Sequence, residues 1–443
     1  MKNSVMLASV LGMLPALSPA ATPSIPVASA SSVFAQAHAL CSADAGHLWG
    51  ASLCGPLMLA DPHTGAAITN VPVPGAKRRG SYYQLRLSPS EPIANAPFEY
   101  KGIRFAQVTW PPEGSASQQA VNLMHESFHR IQPKLGFVVH GAANAHTMIS
   151  GDPALDTETG RIWLRGEIHA LRAALTSAGE TRKRALSDAL EMRAYRHSIL
   201  PSTVLPEHLL DIMEGLAEST GIDVGLPPSQ RIAYTLHDLK FVENAPSYAR
   251  TFFFATGPAY SELLDAVRPD WRHTVTLSTS LAGLAAHAYH ISVVNPPAPE
   301  ARAILMRYDG ATIERQEAAR AARQAIRDAR FRAELVAGRT LRLPMKRFKI
   351  SFNPTTLNHL GRYGSVYHRV TVSAPWGRIA VSHGDALIDS KFSALTVAAP
   401  RSLSGRTLHG RGWVLRLSSG TRIVSDPSKL GSYTVTLRRP AAH

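Results

Sequence analysis

The spacing of apolar residues changes near residue 340, and this change limits what the chain can fold into more than any other feature. From about residue 115 to 337 the pattern is mainly helical, with clusters of Pro, Gly and Asn between the helices. After Leu343 apolar and polar residues alternate, as in Trp413–Leu417 and Tyr433–Leu437. Such a period of two is typical of strands. The sequence therefore predicts a separate β domain over 341–443, a sandwich or a barrel.

Short strands are predicted before the helical region. Residues 81–87 and 103–110 alternate apolar and polar side chains, and Pro and Gly interrupt the pattern between about 48 and 110. A chain of 443 residues is longer than most single domains. The predicted fold class is α+β: a domain over 48–337 that begins with short strands and is mainly helical, followed by an all-β domain.

The N-terminus has the pattern of a secretory signal peptide. Residues 1–20 contain one early cation, an apolar stretch Val5–Leu17, and small residues at Ser18 and Ala20 before a possible cleavage point. We expect a periplasmic or secreted protein, with an uncleaved N-terminal anchor as the alternative. Residues 21–47 are rich in Ala, Ser and Pro and lack a clear period, which indicates a flexible segment.

The chain has two cysteines, Cys41 and Cys54, thirteen positions apart. In an oxidising compartment we expect them to form a disulfide, whereas two buried free thiols would be expected in the cytosol. No CxxC pair is present, which argues against a thiolate zinc site or a redox centre.

The residues most specific for chemistry are His125-Glu126-Ser127-Phe128-His129, an H-E-x-x-H sequence. A capping box at Ser115 and the stop at Pro133 predict that it lies on a helix. Histidines four positions apart share one helix face, so both imidazoles can bind one Zn²⁺ while Glu126 takes a proton from its water. The alternative is two solvated or capping histidines on an ordinary helix.

A zinc site needs a third protein ligand, and the best donors lie on a second predicted helix. Pro206 suits its first turn and Gly221 its end. Four carboxylates on one face could attract a dication, although taken alone they would form an ordinary solvated face. They are Glu207, Asp211, Glu214 and Glu218.

H-E-x-x-H followed by a helix reading Met-Glu-Gly-Leu-Ala-Glu resembles the gluzincin zinc metallopeptidases, in which a Glu on a second helix completes the site. The resemblance implies a zincin-like domain with His125, His129 and Glu214 as zinc ligands. It implies Glu126 as the catalytic base and Glu218 as a carboxylate that orients a ligand histidine. The chain also resembles a group of exported bacterial proteins with this site, which brings no known substrate.

The sequence departs from the usual gluzincin pattern in two ways. Met213 stands where Asn is usual, and 84 residues separate His129 from Glu214, an interval that predicts extra helices. A metzincin is excluded, since it would need Gly and His where this chain has Gln132 and Leu135. Competing third ligands are His140, His146, Glu167 and His169.

Zinc peptidases usually add a donor that stabilises the oxyanion of the tetrahedral intermediate. Arg250 and Tyr260 are the candidates, and a surface cation and a packing aromatic are the alternatives. Together these features predict an exported zinc-dependent metallopeptidase that acts on a peptide or protein. The alternative is a non-catalytic envelope-binding protein that keeps the zincin scaffold and works through its β domain.

The net charge of +15 is concentrated at the C-terminus, since residues 341–443 contain 16 Lys and Arg against three Asp. A β domain this basic predicts attachment to an anionic envelope component. The alternative is a solvated basic surface kept for solubility. No nucleic-acid motif is present, so we expect no nucleic-acid partner.

Overall fold

A computed structural model describes most of the chain. The described residues are 24–88, 91–139, 151–249, 251–352 and 357–437. The predicted signal peptide over 1–20 and three candidate residues, His140, His146 and Arg250, lie outside these ranges.

The predicted flexible segment over 21–47 is wrong for most of its length, because Val27–Asp44 forms helix α1. Ala30, Phe34, Ala37 and Cys41 recur at helical spacing and are buried in the main core. Ala also favours helices, so the segment is held by both packing and propensity. Cys41 and Cys54 form the expected disulfide, with Cα atoms 5.1 Å apart.

Six strands form the first sheet, in the order β3-β4-β2-β1-β6-β5. Strands β1 and β6 are parallel, and the other neighbours are antiparallel. One face packs on the helices through residues such as Leu59 and Val108, and the other face covers a smaller core around Phe105. The strands are β1 Leu57–Ala60, β2 Ala66–Thr69, β3 Lys77–Arg79, β4 Tyr82–Arg86, β5 Ala96–Tyr100 and β6 Ile103–Thr109.

Helices make up the middle of the chain, as predicted. The interval between His129 and Glu214 holds two long helices, Glu158–Leu175 and Gly179–Ile199. The second predicted helix is interrupted by a π-helical segment, Asp211–Gly215, and continues beyond Gly221. No helix of the described ranges is long and apolar enough to cross a membrane. The helices are α2 Ala116–Ile131, α3 Glu158–Leu175, α4 Gly179–Ile199, α5 Val204–Leu210, α6 Leu216–Gly225, α7 Pro228–Glu243, α8 Phe253–Asp265, α9 Leu281–Ala288, α10 Ala298–Met306 and α11 Gly310–Phe331.

The C-terminal region contains two sheets, a seven-stranded one ordered β17-β18-β7-β14-β13-β10-β9 and a five-stranded one ordered β15-β16-β12-β11-β8. Leu343 from the first sheet and Val372 and Leu415 from the second belong to one buried core, so the sheets form a sandwich. The strands are β7 Thr340–Pro344, β8 Lys349–Phe352, β9 Leu357–His359, β10 Ser365–Tyr367, β11 Val370–Ala374, β12 Gly377–Val381, β13 Ala386–Ile388, β14 Ala394–Ala398, β15 Thr407–Gly410, β16 Trp413–Leu417, β17 Thr421–Ser425 and β18 Tyr433–Leu437.

The molecule is thus an α+β protein, with strands before a helical middle and a C-terminal region of sheets. This order follows the change in apolar spacing near residue 340. Phe331 and Leu335, at the end of the helical region, pack against Leu360, Val366 and Leu387 of the sandwich.

Candidate metal centre

Helix α2 begins and ends where the sequence predicts. The Ser115 side chain accepts a hydrogen bond from the Gln118 amide, and the Gln118 side chain accepts one from the Ser115 amide, which completes the capping box. The helix ends at Ile131, and Pro133 lies in the 3₁₀ turn that follows. Its buried face carries His125, Glu126 and His129, so these polar side chains point into the protein.

Two histidines and one carboxylate converge on a single point. The Nε2 atoms of His125 and His129 are 2.9 Å apart. The Oε2 atom of Glu214 lies 3.2 Å from His129 Nε2 and 3.7 Å from His125 Nε2. Each of the three residues has one possible ligand atom, and these three atoms all lie within 4.8 Å of one another. The structure therefore brings together the three side chains that the gluzincin resemblance implies as ligands.

The other nitrogen of each imidazole is held by a hydrogen-bond acceptor. His125 Nδ1 lies 2.8 Å from Glu218 Oε2, and His129 Nδ1 lies 2.8 Å from Gln132 Oε1. Carboxylate and amide oxygens only accept hydrogen bonds, so both Nδ1 atoms must carry the proton. In a neutral imidazole with its proton on Nδ1, Nε2 keeps the lone pair that a metal ion needs. The Glu218 contact matches the orienting role expected for this residue.

Gln132 is a site residue that the sequence analysis missed. Besides accepting from His129, its amide donates a hydrogen bond of 2.6 Å to the carbonyl oxygen of Met213. Met213 directly precedes Glu214, so one side chain links the second histidine to the backbone of the carboxylate ligand. Its place three residues after His129, on the same helix face, was the available signal.

A π-helical segment presents Glu214 to the histidines. Asp211–Gly215 lies between α5 and α6, and π-helical turns inside α-helices are frequent at functional sites. Close packing fixes the segment on its other side, because a Cβ at Gly257 would lie 2.3 Å from the Cα of Gly215. The segment therefore has little freedom to move away from α2.

Gly221 brings α6 against α2 and does not end a helix. The prediction of a helix stop at Gly221 is wrong, since α6 runs on to Gly225. A Cβ at Gly221 would lie 2.6 Å from the carbonyl oxygen of Val121, and one at Gly225 would crowd Ala120. Both glycines thus permit a close helix contact, which sets the distance between the histidines and Glu214.

The loop closed by the disulfide supports both site helices. Trp49 donates a hydrogen bond of 2.9 Å from its indole to the Thr220 hydroxyl on α6. The centroid of its ring lies 4.8 Å from that of Phe128. In the sequence of α2, Phe128 stands between the two candidate ligands His125 and His129. The segment around Trp49 therefore packs behind the metal cluster.

Glu126 is buried beside the cluster and is not fully hydrogen-bonded. Only 3% of its surface is exposed, and within the described part of the chain its Oε2 atom has no hydrogen-bond partner. Burial raises the pKa of Glu126 above its ordinary value. Burial also acts to raise the pKa of Glu214, but the neighbouring His129 and His125 outweigh it and hold that pKa below the usual range. The two carboxyl groups therefore differ in how readily they accept a proton.

The prediction that Tyr260 stabilises an oxyanion is not supported by its position. Its ring is completely buried, and its hydroxyl donates a hydrogen bond of 2.8 Å to Glu167. This hydroxyl is already engaged and does not reach solvent, so it cannot meet a substrate that enters from solution. Arg250 lies outside the described residues.

Two of the competing ligands also have other partners. Glu167 pairs with Arg193 and Arg196, and His169 Nε2 lies 2.8 Å from Glu243. Neither joins the three-residue cluster of His125, His129 and Glu214.

The chain was compared with known proteins. No protein-family model, no curated protein and no solved structure matches it. The gluzincin resemblance therefore rests on the motif and on the geometry of the site alone.

Proposed function

We propose that this protein is an exported zinc-dependent peptidase of the gluzincin type. One observation carries the proposal: the Nε2 atoms of His125 and His129 meet the carboxylate of Glu214 beside the buried Glu126. Two imidazoles and one carboxylate are the protein ligands of many catalytic zinc sites. The Glu214 side chain is about one third exposed, so the cluster opens to solvent on that side, where a substrate could enter.

The charges of the site fit a divalent cation. Three carboxylates, Glu126, Glu214 and Glu218, lie at or beside the two histidines. A neutral imidazole that carries its proton on Nδ1 has Nε2 free for a metal ion. A carboxylate taken out of water is costly without a counter-ion, and a dication held by His125, His129 and Glu214 would offset part of that cost.

The residues of the chain have distinct roles in the proposed reaction. A bound Zn²⁺ would act as a Lewis acid toward the scissile carbonyl and would lower the pKa of water. Glu126 takes a proton at its free carboxylate oxygen and passes it to the departing amine. Its pKa, raised by burial, suits a group that must first accept and then release a proton. Glu218 and Gln132 hold the imidazoles in place during these steps.

Two features support export as part of the proposal. The signal-like pattern over residues 1–20 suits secretion. The Cys41–Cys54 disulfide would be stable in an oxidising compartment such as the periplasm or the cell exterior.

The experiment separates metal binding from catalysis. The purified full chain, its Glu126→Gln variant and its Glu113→Gln variant are analysed for zinc content and for cleavage of a mixed peptide library by mass spectrometry. Glu113 is exposed and precedes α2, so it is the matched control. We expect about one zinc per chain in all three proteins, and a loss of cleavage of about 10²- to 10⁴-fold in Glu126→Gln only.

Other results would refute the proposal. If the wild type binds no zinc, or if Glu126→Gln cleaves the library as fast as Glu113→Gln does, the chain is not a peptidase of this type. Zinc binding without any cleavage by the wild type would favour the non-catalytic binding protein.

A further inference from the structure

Two turns meet at one end of the C-terminal sandwich. The first, residues 345–348, connects β7 to β8, and the second, residues 389–393, connects β13 to β14. The Met345 amide donates a hydrogen bond of 2.8 Å to the carbonyl oxygen of Ser393, which joins the turns. Because β7 starts at Thr340, just after the helical region, these turns lie at the far end of that strand. We call them, together with Lys349, the sandwich tip.

Two aromatic rings lie at the sandwich tip. Phe348 and Phe392 stack with their centroids 6.3 Å apart and their planes nearly parallel, at 4°. Phe392 is 39% exposed, although a large apolar residue is usually buried. Its φ of 51° lies in the left-handed region, which bulky residues rarely adopt. Arg347, in the other turn, has a φ of 48°. Unusual backbone at both turns therefore keeps an aromatic ring at the surface.

Four exposed cations belong to the sandwich tip, and none forms an ion pair with any residue that the structure describes. They are Lys346, Arg347, Lys349 and Lys391. The one carboxylate of the two turns, Asp389, accepts hydrogen bonds from the amides of Lys391, Ser393 and Ala394 and from the Ser393 hydroxyl. Asp389 therefore stabilises its own turn, and it forms no ion pair with any of the four cations.

The positive surface continues onto the five-stranded sheet. Ser373 on β11 lies opposite Lys349 on β8 and opposite Arg378 on β12, and Arg378 in turn lies opposite Arg416 on β16. Three cations therefore lie in one row across the strands. Arg378 and Arg416 are direct cross-strand neighbours, an arrangement that destabilises a sheet unless an anion lies nearby. No acidic side chain belongs to this row.

We propose that the sandwich tip docks on the surface of an anionic phospholipid bilayer. The exposed ring of Phe392 suits the headgroup level of a membrane, where one side is apolar and the other is wet, and the partly buried Phe348 supports it from the core. Lys and Arg beside them attract anionic headgroups. The turns project from the end of the sandwich, a shape that can meet a planar surface.

Vesicle binding by the full chain tests the proposal. Vesicles of phosphatidylcholine with about one third phosphatidylglycerol are compared with pure phosphatidylcholine by co-sedimentation at low and high salt. The variant Lys346→Gln/Lys391→Gln removes two cations of the sandwich tip. Each cation near an anionic bilayer strengthens binding about fivefold, so this variant should bind the anionic vesicles about 25-fold more weakly.

A matched control removes two cations from the other end of the sandwich. Arg369 precedes β11 and Arg401 follows β14, both are exposed, and neither has an ion-pair partner in the described ranges. The length of a five-residue strand, about 16 Å, separates them from the tip and exceeds the screening length of about 8 to 10 Å. Arg369→Gln/Arg401→Gln should therefore weaken binding by no more than about threefold.

A fluorescent label reports which part of the protein meets the vesicle. Both native cysteines form the disulfide, so a single introduced cysteine can be labelled. Ser390→Cys places an environment-sensitive dye at the sandwich tip, and Ser425→Cys places it at the opposite end of the seven-stranded sheet. With anionic vesicles we expect a blue shift of emission for Ser390→Cys and none for Ser425→Cys.

Several results would overturn the proposal. Absence of binding to anionic vesicles at low salt, or equal losses in the two double variants, would remove the sandwich tip as the docking surface. If soluble polyphosphate blue-shifts the dye at Ser390→Cys and anionic vesicles do not, the partner is a soluble polyanion and not a bilayer.

Discussion

Two clusters of charged side chains share the π-helical segment Asp211–Gly215, and they differ in where their positive charge comes from. Asp211 joins an ion-pair network that contains its own cations, Arg193 and Arg196. Glu214, three residues later, faces two histidines that are neutral when they act as ligands. A buried carboxylate needs a cation close by. The chain itself therefore supplies the cations of the first cluster, whereas under the proposed function the second would take a cation from solution.

The ion-pair network is nearly complete within the protein. Arg196 lies 2.7 Å from both Glu167 and Glu207, and Arg193 lies 2.6 Å from Asp211. Although burial acts to raise the pKa of Glu207, Arg196 and a hydrogen bond from His197 hold it well below its ordinary value. This carboxylate is therefore charged and compensated without any bound ion. Glu167 Oε2 and Arg196 Nη1 lack a well-aligned hydrogen bond in the described ranges, but they lie 2.7 Å apart as an ion pair. In the metal cluster, the buried Oε2 atom of Glu126 has neither a hydrogen bond nor an ion pair with any described residue.

Removing a ligand from the metal cluster should have the largest effect. His129→Ala should reduce zinc from about one per chain to almost none, because two remaining ligands hold the ion poorly. The measurement is metal analysis after dialysis against a weak chelator. His237→Ala removes an exposed histidine and should keep its zinc. Full zinc occupancy in His129→Ala would show that the cluster of His125, His129 and Glu214 does not hold the metal ion.

Breaking the ion-pair network should affect stability and not the number of metal ions. Arg196→Ala leaves Glu167 and Glu207 buried without their cation, which should lower the free energy of unfolding by about 3 to 5 kcal/mol. The folded fraction of the variant should still bind one zinc per chain.

Chemical denaturation of the metal-free proteins measures the loss in free energy of unfolding of Arg196→Ala. Arg302, which pairs with Glu314 at the surface, is the control, and its loss should leave the denaturation midpoint nearly unchanged. Equal midpoints for Arg196→Ala and wild type would show that the network does not stabilise the fold.

The smallest expected effect concerns the residues that orient the imidazoles. Gln132→Ala and Glu218→Ala each remove an acceptor for an Nδ1 proton and leave all three ligands in place. Zinc affinity should fall by about 10- to 100-fold in each, as measured by competition with a chromophoric chelator. Gln230→Ala, at an exposed position on α7, should keep wild-type affinity. Unchanged affinity in both orienting variants would limit the functional site to its direct ligands.

Some parts of the fold could be predicted because a local pattern decides them. The strands of the C-terminal sandwich could be predicted because apolar and polar residues alternate along them. This alternation places every second side chain on the same face of the sheet, whichever strands lie beside it. Helix α1 was missed, since a segment rich in Ala and Ser gives a weak signal, and the burial of Phe34 depends on surfaces that come from elsewhere in the chain. Local composition alone therefore predicted flexibility where packing produces a helix.

In the site, residue spacing alone fixes the pair of histidines and the position of Glu126 on the same helix. Residues four apart on a helix share a face whatever surrounds the helix, and the capping box at Ser115 sets where that helix starts. These relations need no partner from the rest of the molecule, so they can be read directly from residue spacing.

The roles of the other site residues depend on how the helices pack. Four carboxylates lie on the second helix, and the π-helical turn together with the glycine contact at Gly257 directs Glu214 to the histidines. Glu207 and Asp211 instead meet arginines from α4. Tyr260 was a candidate from its place in the chain, but its hydroxyl is buried against Glu167. A carboxylate or a hydroxyl takes its role from the charges packed against it. Because those charges come from helices distant in sequence, local residue patterns do not predict the role.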